Sequence, residues 1–307
     1  MKKFALIVLM LLVSSAFAEN FVAINSVDGR DVLSGVYYAN VKNIPVKFMP
    51  MPNGNADVFA AKVGSNHDVL LIKGIVPVST FVESALKAKN NTVEVFVSED
   101  GGATNLELAR LSGATSFIVV DSAYSDGALS VLPYAALSDS YVILANANNA
   151  DDVADIVKNA NKLMIYGYVD SEVMDKLDGF NPQIVGKGED KFEDNLLIVE
   201  KTMDEFSKNT AIIVDGSSLE ESTAQGEQPI ILSGTLVPDV TYNYIKNKLK
   251  NDELASVMLI GNGLMVPIYD MREKMEQELL TEGVNKTFGI VVKFAQVIPS
   301  AESGKPR

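Results

Sequence analysis

Residues 117–146 read FIVVDSAYSDGALSVLPYAALSDSYVILAN, and residues 21–50, FVAINSVDGRDVLSGVYYANVKNIPVKFMP, lie over them without a gap. Seven positions are identical at one offset of 96 residues: Phe21/Phe117, Ser26/Ser122, Leu33/Leu129, Ser34/Ser130, Tyr38/Tyr134, Ala39/Ala135 and Val46/Val142. Each copy reads as a short apolar strand, a polar turn, a helix carrying Leu-Ser then Tyr-Ala, and a second strand. That is a β-α-β unit used twice.

A third, more diverged copy begins near Thr210, where AIIVDGSS repeats the strand-then-acid pattern and PIILSG supplies the second strand. The later half of each copy recurs as well, in LLIKGIV from Leu70, LMIYGYV from Leu163 and VMLIGNGLMV from Val257. The period of about 90 residues exceeds that of common solenoid repeats and suits a small α/β domain. The expected organisation is residues 1–18 as a leader, repeats over 19–116, 117–209 and 210–298, and 299–307 as a linker or truncated tail.

The leader reading rests on Lys2 and Lys3, the apolar run Phe4 to Val13, and the small-residue ending Ala16-Phe17-Ala18. This is the pattern of a cleaved secretory signal peptide. The run is shorter than the roughly 20 residues needed to span a bilayer. Export to the extracellular side or the cell envelope is therefore expected. The whole chain carries a formal charge of -14, and loss of the two lysines takes it to -16. Such a surface repels nucleic acid and anionic lipid. The chain has no cysteine, so its fold is held by apolar cores rather than disulfides, and 47% hydrophobic residues can supply them. Asn90-Asn91-Thr92 and Asn285-Lys286-Thr287 are candidate N-glycosylation sequons.

Between the strands the periodicity predicts helices, among them 78–89 with Phe81, Val82, Ala85 and Leu86 on one face, 105–111, 150–159, 171–177, 192–206, 242–249 and 268–280. Strands such as FIVV and AIIV, apolar on both faces, predict parallel sheets covered on both sides with right-handed crossovers. The joints between copies are too short to act as flexible linkers, so the copies are expected to pack on one another.

Catalytic constellations are thin. Without cysteine and with His67 alone, a Cys nucleophile and a multi-histidine zinc site are excluded. No serine lies in a G-x-S-x-G turn that could pair with His67. The glycine stretches at Gly186 and Ile260 have neither P-loop nor Rossmann spacing. Acidic pairs such as Asp151/Asp152 and Glu220/Glu221 read as solvated faces, with weak calcium or magnesium sites left open. No catalytic residue is assigned, and no cofactor beyond a divalent cation is expected.

Ligands of an open parallel sheet sit beyond the carboxyl ends of its strands. The candidate binding residues are therefore those of the strand-end turns: Arg30, Asp31 and Ser34 in the first copy, Asp121, Asp126 and Ser130 in the second, and Asp215 in the third. Ser and Asp also fill helix N-caps for purely local reasons, and both readings stand at this point.

The segment SDGALSVLPYAALSDSYVILAN, followed by KLMIYGYVDSEVMDKL, resembles the type 2 cell-wall-binding repeat. Asp126, Ala128, Leu129, Ser130, Pro133, Ala135 and Ala136 fall on the first parts of its pattern, and Ile165 and Gly167 on the last. The resemblance implies three tandem small parallel-sheet α/β (Toprim-like) repeats packed about a pseudo-threefold axis. It also implies a non-catalytic cell-surface protein, an S-layer subunit or envelope-anchoring region, partnered by a cell-envelope polymer or other surface-layer subunits. The first copy departs from the pattern at Val32 and Tyr37, and the third lacks the Leu-Ser turn. Arg30 and Arg110 are the main candidates for local positive charge. The alternative is an exported solute-binding protein that captures a small ligand between α/β domains.

Overall fold

The computed structural model of the chain describes residues 19–49, 55–98, 101–123, 125–214, 226–233, 236–260, 265–284 and 292–293. The leader, the tail, Asp215 and Asn285 lie outside these residues. The first unit runs β1 (Phe21–Asn25), α1 (Gly29–Lys42), β2 (Val46–Phe48), α2 (Ala56–Val63), β3 (Asp68–Lys73), α3 (Val82–Ala88), β4 (Thr92–Val97) and α4 (Gly101–Ser112). The second runs β5 (Ser116–Asp121), α5 (Ser125–Leu137), β6 (Tyr141–Ala145), α6 (Ala150–Val157), β7 (Lys162–Tyr166), α7 (Ser171–Leu177), β8 (Gln183–Val185) and α8 (Lys191–Phe206). In the third are β9 (Thr210–Val214), β10 (Ile230–Leu232), α9 (Asp239–Lys250), β11 (Ser256–Ile260), α10 (Met265–Thr281) and β12 (Val292–Lys293).

Each unit builds one four-stranded sheet, and the orders β2-β1-β3-β4, β6-β5-β7-β8 and β10-β9-β11-β12 are the same permutation. Every pairing is parallel. The fold is α/β, three small parallel sheets in tandem. The stretches from Phe21, Phe117 and Ala211 occupy equivalent places as β1, β5 and β9, so the third copy keeps its strand order after its identities are gone.

Alternation along the first strands shows how the sheets share a core. Val22 and Ile24 of β1, Ile212 and Val214 of β9, and all four residues Phe117 to Val120 of β5 belong to one buried cluster that runs through all three units. Phe21 and Ala23 turn to a second cluster with Phe59, Val69 and Leu86. Ala211 and Ile213 turn to a third with Val199, Ile245 and Leu279. The middle sheet is therefore buried on both faces by the common core. Removing apolar surface from water at about 25 cal/mol per Å2 makes this shared burial the main reason the units do not separate.

The last helix of one unit also grips the second strand of the next. Asn105 of α4 is fully buried. Its Nδ2 donates to the Val142 carbonyl at 2.9 Å and to Ser34 Oγ at 3.1 Å, and its Oδ1 accepts from the Leu144 amide at 2.8 Å. Asn195 of α8 repeats the arrangement. It donates to the Ile230 carbonyl at 2.7 Å and to Ser130 Oγ at 3.1 Å, and accepts from the Leu232 amide at 2.8 Å. These strands are sheet edges, whose free backbone groups would be costly once buried. One amide per junction satisfies two of them. Tyr37 adds a further tie, donating from its hydroxyl to the Ala128 carbonyl at 2.8 Å.

Helix ends follow local chemistry. Asp28 caps α1 by accepting from the Arg30 amide, and Asp190 caps α8 by accepting from Phe192 and Glu193. The expected helix over 78–89 is shorter, starting at Val82, and Phe81 is 71% exposed at its N-cap rather than on its buried face. The cause is upstream. Asn25 accepts from the Ser79 amide and donates to the Ser79 carbonyl, holding that residue in the loop after β3. Val82, Ala85 and Leu86 then form the inward stripe.

Candidate functional site

The strand-end turns of the first two units are built from equivalent positions with different fillings. In the first, Asp31 is 2% exposed and its Oδ2 accepts from Ser26 Oγ at 2.6 Å. Ser26 and Asp31 pack over Gly74, where an added Cβ would lie 2.1 Å from Ser26 Oγ and 2.8 Å from Asp31 Oδ2. Arg30 is occupied with Asp28 at 2.7 Å, and Ser34 donates to the Arg30 carbonyl. Beyond β1 and β3, the side chains of Ser26 and Asp31 thus occupy the space over Gly74.

Burial raises the Asp31 carboxyl above its ordinary range, against the Ser26 hydrogen bond that lowers it. Asp31 Oδ1 has no hydrogen-bond partner among the described residues. A carboxyl raised on folding holds its proton more tightly in the native state, so stability falls as pH climbs from the unfolded value through the folded one. Asp31→Asn keeps an oxygen for Ser26 and removes the ionisation. The expected result is higher stability than the parent at pH 7, with the gain shrinking toward pH 4, measured by urea unfolding. A variant less stable than the parent at pH 7 would show that the ionised carboxylate is needed.

In the second unit, position 127 is glycine where Asp31 stands in the first, and an open cleft results. Its volume is about 460 Å3. It lies over the carboxyl ends of β5 and β7, where the chain connections turn to opposite sides of the sheet, the position at which open α/β sheets hold ligands. Asp121, Asp126 and Ser130 line it from β5 and α5, Tyr166 from β7, Asp194 from α8, and Leu232 from the third unit. The cleft is thus at the junction of two units. Lys191 pairs with Asp126 at 2.8 Å from the rim, its side chain 56% exposed. Burial pushes the Tyr166 phenol up, so its hydroxyl stays protonated.

One wall is a loop drawn around a carboxylate. Asp194 Oδ1 accepts from the Lys187 amide and Oδ2 from the Gly188 amide, both at 2.7 Å. Gly186 and Gly188 sit at φ of 86° and 74°, in the left-handed region that favours glycine. Asp194 was not legible as a site residue, since an acid in the first turn of a helix has a local explanation in the helix dipole.

Of the sequence-predicted residues, the structure gathers Asp121, Asp126 and Ser130 in one cleft and places Arg30, Asp31 and Ser34 at the filled equivalent. Ser34 and Ser130 also serve the junctions, each accepting from the following asparagine. Asn105 and Asn195 escaped sequence reading. The available signal was an Asn-Leu pair within an amphipathic helix, recurring after 90 residues. Arg110 pairs with Asp152 at 2.6 Å. His67 contacts Phe21, ring centroids 5.3 Å apart, and its Nδ1 lies 3.3 Å from Asn20 Oδ1. Among the described residues no group of three or more His, Cys, Asp or Glu is placed to hold a metal ion, and no helix is long and apolar enough to cross a membrane. Asn90 is exposed in a turn at φ 60°.

No family model matches the chain, and no curated protein matches it. Among solved structures, the chain is similar to Cwp8 from Clostridium difficile, a cell wall protein, with a TM-score of 0.66 and 21% sequence identity. The match covers 85% of this chain and 48% of that one, so the chain spans about half the length of Cwp8. At this identity the likeness shows a shared fold.

Proposed function

We propose that the chain is a non-catalytic cell-surface protein, an envelope-layer subunit or its anchoring region, built from cell-wall-binding-type repeats. The observation that carries the reading is the fold shared with Cwp8 over 85% of the chain. The repeat pattern around Asp126 to Ala136, the leader-like residues 1–18 and the scarcity of catalytic groups point the same way. Fold transfers more safely than ligand, so the envelope role is tested directly.

Arg30 and Arg110, the expected cationic points, are both engaged with carboxylates. A chain of charge -16 after loss of its leader meets its own repulsion wherever like surfaces approach. Screening at about 0.15 M salt shortens that repulsion to about 8 Å without removing it at contact. In our reading, calcium or magnesium bridges carboxylates of adjoining molecules, and association with the envelope follows. Asn90 presents the one sequon within the described residues for modification.

The expected result is that purified protein pellets with isolated envelopes in millimolar calcium and is released by a chelator. Sodium chloride matched for ionic strength is expected not to substitute. Absence of pelleting in every condition would overturn the surface role; equal pelleting in both salts would overturn the ion bridge alone.

A further inference from the structure

The two asparagine junctions have a counterpart in the first unit that stands open. In a parallel pair, alternate residues of a strand bond its neighbour and the residues between them point their backbone groups outward. The Ser122 amide donates to the Ala145 carbonyl, which turns the Val142 carbonyl and the Leu144 amide of β6 away from β5, and Asn105 meets both. The Ile212 amide donates to the Pro229 carbonyl, which turns the Ile230 carbonyl and the Leu232 amide of β10 outward, and Asn195 meets both. In the first unit the Val22 amide donates to the Pro45 carbonyl and the Met49 amide to the Ile24 carbonyl. The outward pair of β2 is therefore the Val46 carbonyl and the Phe48 amide, 96 residues before Val142 and Leu144. Among the described residues neither group has a partner, and no helix precedes β1 to supply one.

The same edge lacks apolar cover. Val142 and Ile230 are 0% and 1% exposed where α4 and α8 pack on their strands, whereas Val46 is only partly buried, as are Val41 and Ile44 just before it. A free strand edge is a template for pairing. This one offers one acceptor and one donor, the complement of a single primary amide. A carboxylate brings no donor and an ammonium no acceptor, so neither charged side chain satisfies both groups. The chain answers this edge twice in one way, with a helix carrying Asn105-Leu106 or Asn195-Leu196, the leucine buried beside the asparagine. The remaining contact of each asparagine, to Ser34 or Ser130, lies within the unit that supplies the helix and so is no part of the edge it grips.

We propose that the β2 edge of the first unit is a docking site for an amphipathic helix of a partner protein, which sets an asparagine against the Val46 carbonyl and the Phe48 amide and the leucine after it against Val41, Ile44 and Val46.

The test is hydrogen exchange of the full chain, followed at single amides by NMR, with a synthetic peptide of residues 190–206 as the partner helix. That peptide keeps the Asp190 cap of α8 and Asn195 in its place. A second peptide carries Asn195→Leu. In the free chain the Phe48 amide is expected to exchange about tenfold or more faster than the Leu144 and Leu232 amides, which Asn105 and Asn195 hold. The parent peptide is expected to slow Phe48 by about tenfold or more at saturation and to leave Leu232 unchanged. The Asn195→Leu peptide is expected to bind about tenfold or more weakly, since both strand groups then stay unsatisfied. A Phe48 amide as protected as Leu144 in the free chain would mean that the chain covers its own edge, and would overturn the proposal. So would absence of binding by the parent peptide, equal binding of the two peptides, or a change confined to Leu232, the mark of exchange with the chain's own α8. The measurement involves neither envelopes nor divalent ions, so its outcome is separate from that of the pelleting experiment.

Discussion

Asn195→Leu is expected to lower unfolding stability by about 2–6 kcal/mol, because two strand groups and a serine hydroxyl lose their partner inside the protein. The Ile230 carbonyl and the Leu232 amide belong to β10, and both now meet the Asn195 side chain. Leucine is close in volume and offers neither donor nor acceptor, so each backbone group would pay about 1–3 kcal/mol for being buried unsatisfied. Urea midpoints of the parent, Asn195→Leu and Asn105→Leu would measure the effect, which should be similar at the two junctions. Asn195→Asp is a sharper probe. Its carboxylate can accept from Leu232 but cannot donate to Ile230, whereas the protonated acid can do both. Its defect is therefore expected to shrink as pH falls through the carboxyl range. A variant of either asparagine within about 0.5 kcal/mol of the parent, as for an ordinary surface substitution, would show that the junction does not depend on the amide.

Gly188→Ala is the second change with a large expected cost, about 2–4 kcal/mol. Two penalties add. At φ 74° an L side chain carries about 1–2 kcal/mol of strain. The added Cβ would also lie 2.6 Å from Tyr168 Cα and 2.7 Å from its backbone nitrogen, atoms that cannot rotate away. The loop would have to move, and the Gly188 amide would leave Asp194. Gly226→Ala is the control: at φ 54° its added Cβ meets nothing within 4 Å among the described residues, so backbone strain is the penalty expected there. Equal losses at the two positions, measured by urea unfolding, would mean that the close approach to Tyr168 costs nothing.

Both predictions concern features that the amino-acid pattern carries faintly. The repeat of Phe117–Asn146 over Phe21–Pro50 was legible because strand and helix periodicities are local, and because the Leu-Ser and Tyr-Ala positions face the core in both units. Even the third unit was legible by its strands, since AIIV and IIL are buried whatever lies between them. Phe81 misled the reading, as periodicity alone cannot register that Asn25, 54 residues earlier, holds Ser79 in the loop. The strand-end acids were legible only as a local pattern of Ser and Asp, and that one pattern packs Asp31 over Gly74 yet lines a cleft at Asp126.

Alternating apolar strands and amphipathic helices, the order of three like units, the absence of cysteine and the acidic surface all follow from residue identities and short-range spacing. They express burial and backbone geometry that each segment carries with it. The sharing of one core by three sheets, the grip of Asn105 and Asn195 on strands some 35 to 39 residues further along the chain, and the cleft itself were decided by tertiary structure. Each depends on what a distant segment places opposite a side chain. A glycine at 127 is a weak point in a helix until Tyr166 and Leu232 stand across from it, and only then is it an opening.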